Sequence, residues 1–166
     1  MDEVTGKFEI RIRAAKREDA ATIAVLVNKL NVLHGKPEDC DAAAILRDGF
    51  DAPQGFSVLL AERQGRTLGY ALYHPFYITD IPGWGIWLAD LFVEEEERGL
   101  GVGRKLLASV AAEAVAGGKI SVNWGVMSEN RKAREFYAAI GARDEGARIL
   151  ELDGVALADL AGEVTS

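Results

Sequence analysis

The stretch that decides the fold runs from residue 87 to residue 107 and reads Trp87-Leu-Ala-Asp-Leu-Phe-Val93-Glu-Glu-Glu-Glu-Arg98-Gly-Leu-Gly-Val-Gly103-Arg-Lys-Leu-Leu107. Its first seven residues are almost all apolar, which predicts a strand buried on both faces. Its last residues begin a helical repeat of apolar side chains. Between the two, three glycines alternate where a helix has unpaired N–H groups and the positive end of its dipole. A strand, a glycine loop and a helix in this order predict a cradle for an anion, most often a phosphate.

The spacing of the glycines narrows the choice of phosphate ligand. A dinucleotide-binding loop needs a further glycine where this chain has Arg104 and Lys105, and a Walker loop needs Gly-Lys followed by Ser or Thr. The pattern that fits is Arg-x-x-Gly-x-Gly, met by Arg98, Gly101 and Gly103. It resembles the acetyl-CoA pyrophosphate loop of the GNAT superfamily of N-acetyltransferases.

A second motif follows from Asn130 as Asn-x-x-Ala-x-x-Phe-Tyr-x-x-x-Gly-Ala. Asn is a good N-cap, and Ala133, Phe136, Tyr137 and Ile140 lie on one helical face, so a capped amphipathic helix with a core tyrosine would explain it alone. The motif is also similar to the second motif of GNAT enzymes. That resemblance implies that the asparagine lies beside the pantetheine arm of CoA and the tyrosine near the thioester sulfur.

Acetyl transfer to an amine makes three chemical demands. The thioester carbonyl must be polarised, which the resemblance assigns to backbone N–H groups at residues 91–93. The attacking amine, with a pKa of about 10.4 if it is lysine-like, must lose a proton to a base or a water chain. The leaving thiolate, from a thiol with a pKa of about 8.5, is helped by a proton donor, for which the resemblance indicates Tyr137.

Asp90 is the candidate on the base side, because it interrupts an otherwise apolar strand. We expect it to share a face with Leu88 and Phe92. A carboxylate in that position must be paired, hydrogen-bonded or functional. A structural aspartate and an amine-binding or catalytic one are both open, and so is the assignment of the base.

The predicted site is therefore as follows. The catalytic candidates are Tyr137 and Asp90. The candidate contacts to the cofactor, acetyl-CoA, are Leu91, Phe92, Val93, Arg98, Gly99, Leu100, Gly101, Val102, Gly103, Arg104, Asn130, Ala133 and Tyr137. One cysteine, Cys40, and two distant histidines give no metal-ligand cluster, so no metal is expected.

The remaining pattern predicts an α/β fold of GNAT type, with a mixed, mostly antiparallel sheet flanked by helices in the order β-α-α-β-β-β-α-β-α-β. Turn residues and periodicity predict strands at 8–13, 56–61, 67–76, 87–93, 120–127 and 148–152. Helices are predicted with an apolar face over 23–33, from Pro37 to Gly49, from the glycine loop to Gly117, from Asn130 to Ile140, and in a tail around 155–160.

Within the superfamily, the chain looks most like the diamine and thialysine N-acetyltransferases. Ile12-Arg13, the run Arg-Asp-Gly-Phe at 47–50 and Leu-Ala-Asp-Leu-Phe-Val at 88–93 carry this resemblance. Two departures matter. Ala89 stands where that group has an acidic residue, and Leu33-His34 stand where it has an aromatic residue and an acid. A polyamine substrate therefore does not follow.

Length and composition limit the other possibilities. A chain of 166 residues with 49% hydrophobic and 27% charged residues predicts one folded domain over residues 1–166. The net charge of −7 argues against nucleic acid and mildly favours a cationic substrate. A single cysteine fits the cytoplasm, and neither a membrane span nor a signal peptide is expected.

Several points stay open at this stage. The run Glu94 to Glu97 is predicted to be a solvated turn, although part of it could face the amine. One of Trp84, Trp87 and Trp124 could wall the acceptor pocket. The acceptor is expected to be a small primary amine, with an amino acid, an amino-containing toxin or drug, or a protein N-terminus as alternatives. A non-catalytic acyl-CoA sensor is the rival from another class, and homodimers are frequent in the family.

Overall fold

The computed structural model describes residues 9–165, which form two compact units divided after Trp124. The first unit contains strands β1 to β5 and helices α1 to α3, and the second contains helices α4 and α5. The strands are β1 (Arg11–Ala14), β2 (Ser57–Arg63), β3 (Arg66–Ile78), β4 (Gly83–Val93) and β5 (Val122–Asn123). The helices are α1 (Ala20–Leu33), α2 (Ala42–Gly49), α3 (Val102–Ala116), α4 (Arg131–Ala139) and α5 (Gly154–Gly162).

The five strands form one sheet in the order β1-β2-β3-β4-β5. The first three pairings are antiparallel, and β4 and β5 are parallel because α3 carries the chain across between them. Helix α3 packs on one side of the sheet. The main apolar cluster joins α1 and α2 to the sheet, through side chains that include Ile23, Leu26, Ile45, Leu60 and Tyr70. The predicted α/β class and mostly antiparallel sheet are confirmed.

Strand β4 contains a bulge at Ala89. Leu72 pairs with Asp90, but the next residue of β3, Tyr73, pairs with Leu88, so Ala89 has no cross-strand partner. Ala89 is exposed, as the extra residue of a bulge often is. Because consecutive residues of β3 face opposite sides of the sheet, Asp90 and Leu88 do too. The expectation that they share a face is wrong, whereas the shared face of Asp90 and Phe92 is confirmed.

The pairing of β4 with β5 is short. It joins Ile86 to Val122 and Trp87 to Asn123. The half of β4 that carries residues 90–93 lies beyond this pairing, so its edge on that side is not used by β5. The predicted strand at 120–127 is reduced to these two residues.

Other boundaries also differ from the predictions. Strand β1 begins at Arg11, and Phe8 lies outside the described residues. Helix α2 begins at Ala42 rather than near Pro37, because Asp41 caps it with a 2.7 Å hydrogen bond from the N–H of Ala44. Residues 148–152 do not form a strand, since the described part of the second unit offers no neighbouring strand to pair with. The helical tail is confirmed as α5.

Candidate active site

Asp90 lies on β4 with its carboxylate directed at a buried tyrosine. The hydroxyl of Tyr70, on the neighbouring strand β3, donates to Asp90 Oδ2 at 3.0 Å. Tyr70 has no exposed surface. Burial raises the pKa of Asp90, and the hydrogen bond from Tyr70 acts against that rise. The site therefore holds a carboxylate that gains a proton more readily than an ordinary aspartate.

Two further groups lie close enough to Asp90 to interact with it. A positive charge on His34, at the end of α1, lowers the pKa of Asp90. Burial, together with the negative charges of Asp41 and Asp90, raises the pKa of Cys40. The Cys40 thiol therefore stays neutral and is a poor nucleophile. We call Asp90, Tyr70, His34 and Cys40 the Asp90 cluster.

The segment that carries Cys40 is fixed to α1 by one side chain. The amide of Asn28 donates to the Cys40 carbonyl at 2.8 Å and accepts from the Cys40 N–H at 3.0 Å. Both backbone groups of Cys40 are thus satisfied although the residue lies outside any helix or strand. Asn28 thereby holds the connection between α1 and α2 beside Asp90.

The glycine loop has the conformation that its sequence predicts. Gly99 and Gly101 have φ of +79° and +85°, in the left-handed region that favours glycine. Gly101 is the N-cap of α3, and its carbonyl accepts the first helical hydrogen bond, from Lys105 N at 3.0 Å. The buried side chain of Val102 anchors the helix start to the core. The first N–H groups of α3 thus lie at an exposed, glycine-lined surface, which suits an anion.

Arg98 connects this loop to β4. Its Nε donates to the carbonyl of Val93 at 3.0 Å, and its guanidinium lies 6.0 Å from the centre of the Phe92 ring. The side chain therefore braces the loop against the end of the strand. Of the other predicted contacts, Leu91, Val93 and Gly103 are half-buried, whereas Leu100 and Arg104 are exposed.

The acidic run between strand and loop is largely paired with cations. Glu97 is 3% exposed, and both its carboxylate oxygens accept from Arg63 Nη2, at 2.6 and 2.7 Å. Glu96 pairs with Arg66 at 2.6 Å, and Glu94 pairs with Lys29. The predicted solvated turn is therefore wrong for Glu97, because Arg63 compensates its charge. The run anchors the chain just before the loop.

The second unit contains the other predicted motif. Asn130 caps α4, and its Oδ1 accepts from Ala133 N at 3.2 Å. The predicted face of α4, comprising Ala133, Phe136, Tyr137 and Ile140, is half-buried. Burial raises the pKa of Tyr137, so its hydroxyl stays protonated near neutral pH. The capped helix is confirmed, and the roles of these residues toward a cofactor stay predictions.

Sequence reasoning missed two residues of this region. Tyr70 reaches Asp90 only through the register of β3 and β4, and Arg63 reaches Glu97 across 34 positions. The buried acid at Glu97 and the isolated acid at Asp90 were signals that partners must exist, but nothing local in the sequence identifies those partners.

A mostly antiparallel sheet whose bulged fourth strand leads into a glycine loop and a helix defines a class of fold. An integron cassette protein from V. cholerae shares it, with a TM-score of 0.77 at 22% identity over 92% of this chain and 97% of that one. So does an aminoglycoside N-acetyltransferase in complex with CoA, with a TM-score of 0.72 at 19% identity over 89% and 95% of the two chains.

The family is shown by sequence. Residues 24–142 match the model of the acetyltransferase (GNAT) family. The thialysine N-epsilon-acetyltransferase of Bos taurus is 32% identical over 168 residues, which cover 93% of this chain and 98% of that protein. The chain therefore belongs to the GNAT family and is an N-acetyltransferase, as its two motifs predict. No helix in the described residues is long and apolar enough to cross a membrane.

Proposed function

We propose that this protein transfers the acetyl group of acetyl-CoA to a primary amine of a small molecule, which it binds at Asp90. The observation that carries the proposal is the strand β4 itself. It presents a half-buried carboxylate at one point and leads, within a few residues, into the glycine loop at the start of α3. An amine site and an anion site on one continuous segment are what acetyl transfer from a CoA thioester requires.

The glycine loop and strand end fit the cofactor that the family uses. Residues 99–104 supply backbone N–H groups for a pyrophosphate. Gly101 has a positive φ, which favours glycine, and the absence of a side chain there lets a ligand approach the backbone closely. The edge of β4 at residues 91–93 is not used by β5 and could bind an extended pantetheine arm. Pairing of the acidic run with Arg63, Arg66 and Lys29 limits its repulsion of phosphate.

The residues of this chain divide the chemical work between them. Bound acetyl-CoA supplies a thioester whose acetyl group can pass to an amine. Asp90 holds the incoming ammonium group, directly or through water, and helps to remove its proton. Backbone N–H groups at residues 91–93 polarise the carbonyl. Tyr137, kept protonated by its raised pKa, is the donor to the leaving thiolate.

The acceptor class follows from the cluster and the relatives together. Asp90 is a half-buried carboxylate, and its ionised form favours a cationic amine as partner. The bovine relative is named for thialysine, a small amino acid with a side-chain amine. Ala89, exposed at the bulge, supplies no second carboxylate there, so a long polyamine has one anchor fewer. We therefore place single-amine and amino-acid substrates ahead of polyamines.

The cofactor part of the proposal is tested at two matched glycines. Gly101→Ala puts a side chain on left-handed backbone with open space around it. The strain, about 1–2 kcal/mol, should shift the loop and weaken acetyl-CoA binding about tenfold in calorimetry. Gly65→Ala, in the β2–β3 turn at φ of +74°, carries the same strain away from the loop and should bind normally. Normal binding by a folded Gly101→Ala variant would contradict the assignment.

The catalytic part is tested by CoA release over a panel of amines that includes thialysine, lysine, diamines and aminoglycosides. Turnover of at least one small amine above the rate of acetyl-CoA hydrolysis is expected. Tight acetyl-CoA binding with no release over the panel would instead favour a sensor. A cytoplasmic location, which the single Cys40 suits, and a homodimer complete the proposal.

A further inference from the structure

The Tyr70 hydroxyl occupies an unusual place in the first unit. The ring belongs to the main apolar cluster, 6.1 Å from the ring of Phe92, and the residue has no exposed surface. A hydroxyl at such a depth must find a partner inside the protein. Its partner is Oδ2 of Asp90, which lies two residue pairs further along the ladder of β3 and β4 and on the same face of the sheet. The hydroxyl thus links the core directly to the candidate acceptor site.

We propose that Tyr70 is a positioning residue for acetyl transfer: its hydroxyl fixes Asp90 through Oδ2 and leaves Oδ1 to receive the amine of the acceptor. This proposal rests on the proposed function of Asp90. It assigns to a core tyrosine the task of orienting the one acid of β4, since residues 83–93 contain no other carboxylate.

Charge and burial support this assignment. Within residues 9–124 the titratable groups that act on Asp90 are Tyr70 from β3, His34 from the end of α1 and Cys40 from the segment before α2, with Asp41 beside Cys40. Cys40 stays a neutral thiol because burial and the charges of Asp41 and Asp90 raise its pKa. Burial and the charge of Asp90 raise the pKa of Tyr70, so its hydroxyl stays protonated and keeps donating over the whole working range. Tyr70 therefore keeps its hydrogen bond to Asp90 without a change in its own charge.

The bulge at Ala89 determines which side chains of β4 share a face with Asp90. Because Ala89 is extruded, Asp90 pairs with Leu72 and falls on the same face as Tyr70 and Phe92, rather than on the face of Leu88. In a regular strand without the bulge, Leu88 and Asp90 would share a face of the sheet. The hydroxyl and the carboxylate therefore meet on one face of the regular part of β4, while the bulge turns Leu88 to the other face.

The test compares Tyr70→Phe with Tyr73→Phe. The first removes only the hydroxyl that reaches Asp90. The second removes a hydroxyl bonded to Ser57, three residues along β3 and so on the opposite face. Loss of a hydrogen bond to a carboxylate raises its pKa, by about one unit. The acid limb of kcat/KM should thus move up by about one pH unit in Tyr70→Phe and stay in place in Tyr73→Phe.

Because both proteins act on the same amine, ionisation of the substrate cancels in this comparison. Below the midpoint Tyr70→Phe should lose about tenfold in kcat/KM, and above it the two should converge. In an Asp90→Asn background, the addition of Tyr70→Phe should have no further effect on kcat/KM. An unmoved limb, or equal losses in both backgrounds, would overturn the proposal.

A readout without turnover separates this proposal from the function on which it rests. The carboxyl carbon of Asp90, assigned by its disappearance in Asp90→Asn, can be titrated by NMR in the free protein. A higher midpoint in Tyr70→Phe supports positioning even if the wild type acetylates no amine, in which case the proposed function alone fails. An unchanged midpoint in a variant with normal melting overturns the positioning role even if turnover is robust.

Discussion

Asp90 and Glu97 are two acids of low exposure, seven residues apart on the segment that joins β4 to the glycine loop, and their partners differ completely. Glu97 receives two hydrogen bonds from the guanidinium of Arg63. Asp90 receives a neutral hydroxyl from Tyr70. The guanidinium of Arg63 contacts both carboxylate oxygens of Glu97, whereas the Tyr70 hydroxyl contacts only Oδ2 of Asp90 and leaves Oδ1 for another group. The difference separates an acid that holds the backbone from one that can serve a substrate.

The strongest way to break this comparison is Asp90→Asn. The change keeps the shape and the hydrogen bond from Tyr70 but removes the charge. We expect kcat/KM for the best amine of the panel to fall about a hundredfold or more, as for loss of a general acid or base. A variant that retains its specific activity but melts at a lower temperature would make Asp90 structural, like Glu97.

The second change addresses the other acid. Arg63→Met leaves the Glu97 carboxylate buried, and among residues 9–165 its remaining ion-pair partner is Arg66, at 3.6 Å. We expect urea denaturation to show a loss of about 2 kcal/mol, less than for a fully isolated buried charge because Arg66 remains.

Lys29→Met is the matched control for Arg63→Met. It breaks the pair with Glu94, in which the lysine side chain is about half exposed, and it should cost about 0.5 kcal/mol or less. Equal losses in the two variants would show that burial of Glu97 contributes nothing special.

The smallest expected effect is on the pH dependence of stability. Burial raises the pKa of Asp90 in the folded state above its ordinary value of 3.8. At pH values between 3.8 and that raised pKa, the folded state therefore binds this proton more than the unfolded state does. Stability from this group therefore falls as pH rises through that interval. Asp90→Asn lacks this decline, so the stability of the variant relative to the wild type should be higher at pH 7 than at pH 4. Parallel stability curves from urea titrations at both values would contradict the raised pKa.

Local patterns carried most of the prediction. The helix start at Gly101 and the cap at Asn130 follow from a few adjacent residues, and both are present. What depends on pairing between distant strands was not predictable. The sequence predicts that Asp90 and Leu88 share a face, but the bulge at Ala89 puts them on opposite faces of the sheet. Such a bulge depends on how two strands pair, so the sequence of one strand does not predict it.

The same distinction explains the other misses. The apolar residues at 148–152 favour a strand, but a strand also needs a neighbouring strand, which the local sequence does not reveal. The pairing of Arg63 with Glu97 joins a hairpin to a loop, and an acidic run of four gives no sign of which member is buried. Candidate residues for the site could thus be proposed from residue type, whereas the partners of Asp90 and Glu97 could not.

The two hydrogen bonds between the Asn28 side chain and the Cys40 backbone should slow local opening of the segment before α2. The backbone of Cys40 is held at both its N–H and its carbonyl, and it follows the exposed residues 38 and 39, which lie outside helices and strands. The amide hydrogen of Cys40 should exchange with solvent slowly, whereas those of residues 38 and 39 should exchange quickly. Exchange at Cys40 requires its hydrogen bond to Asn28 to break first. Exchange at this single amide therefore reports how often the segment beside Asp90 detaches from α1.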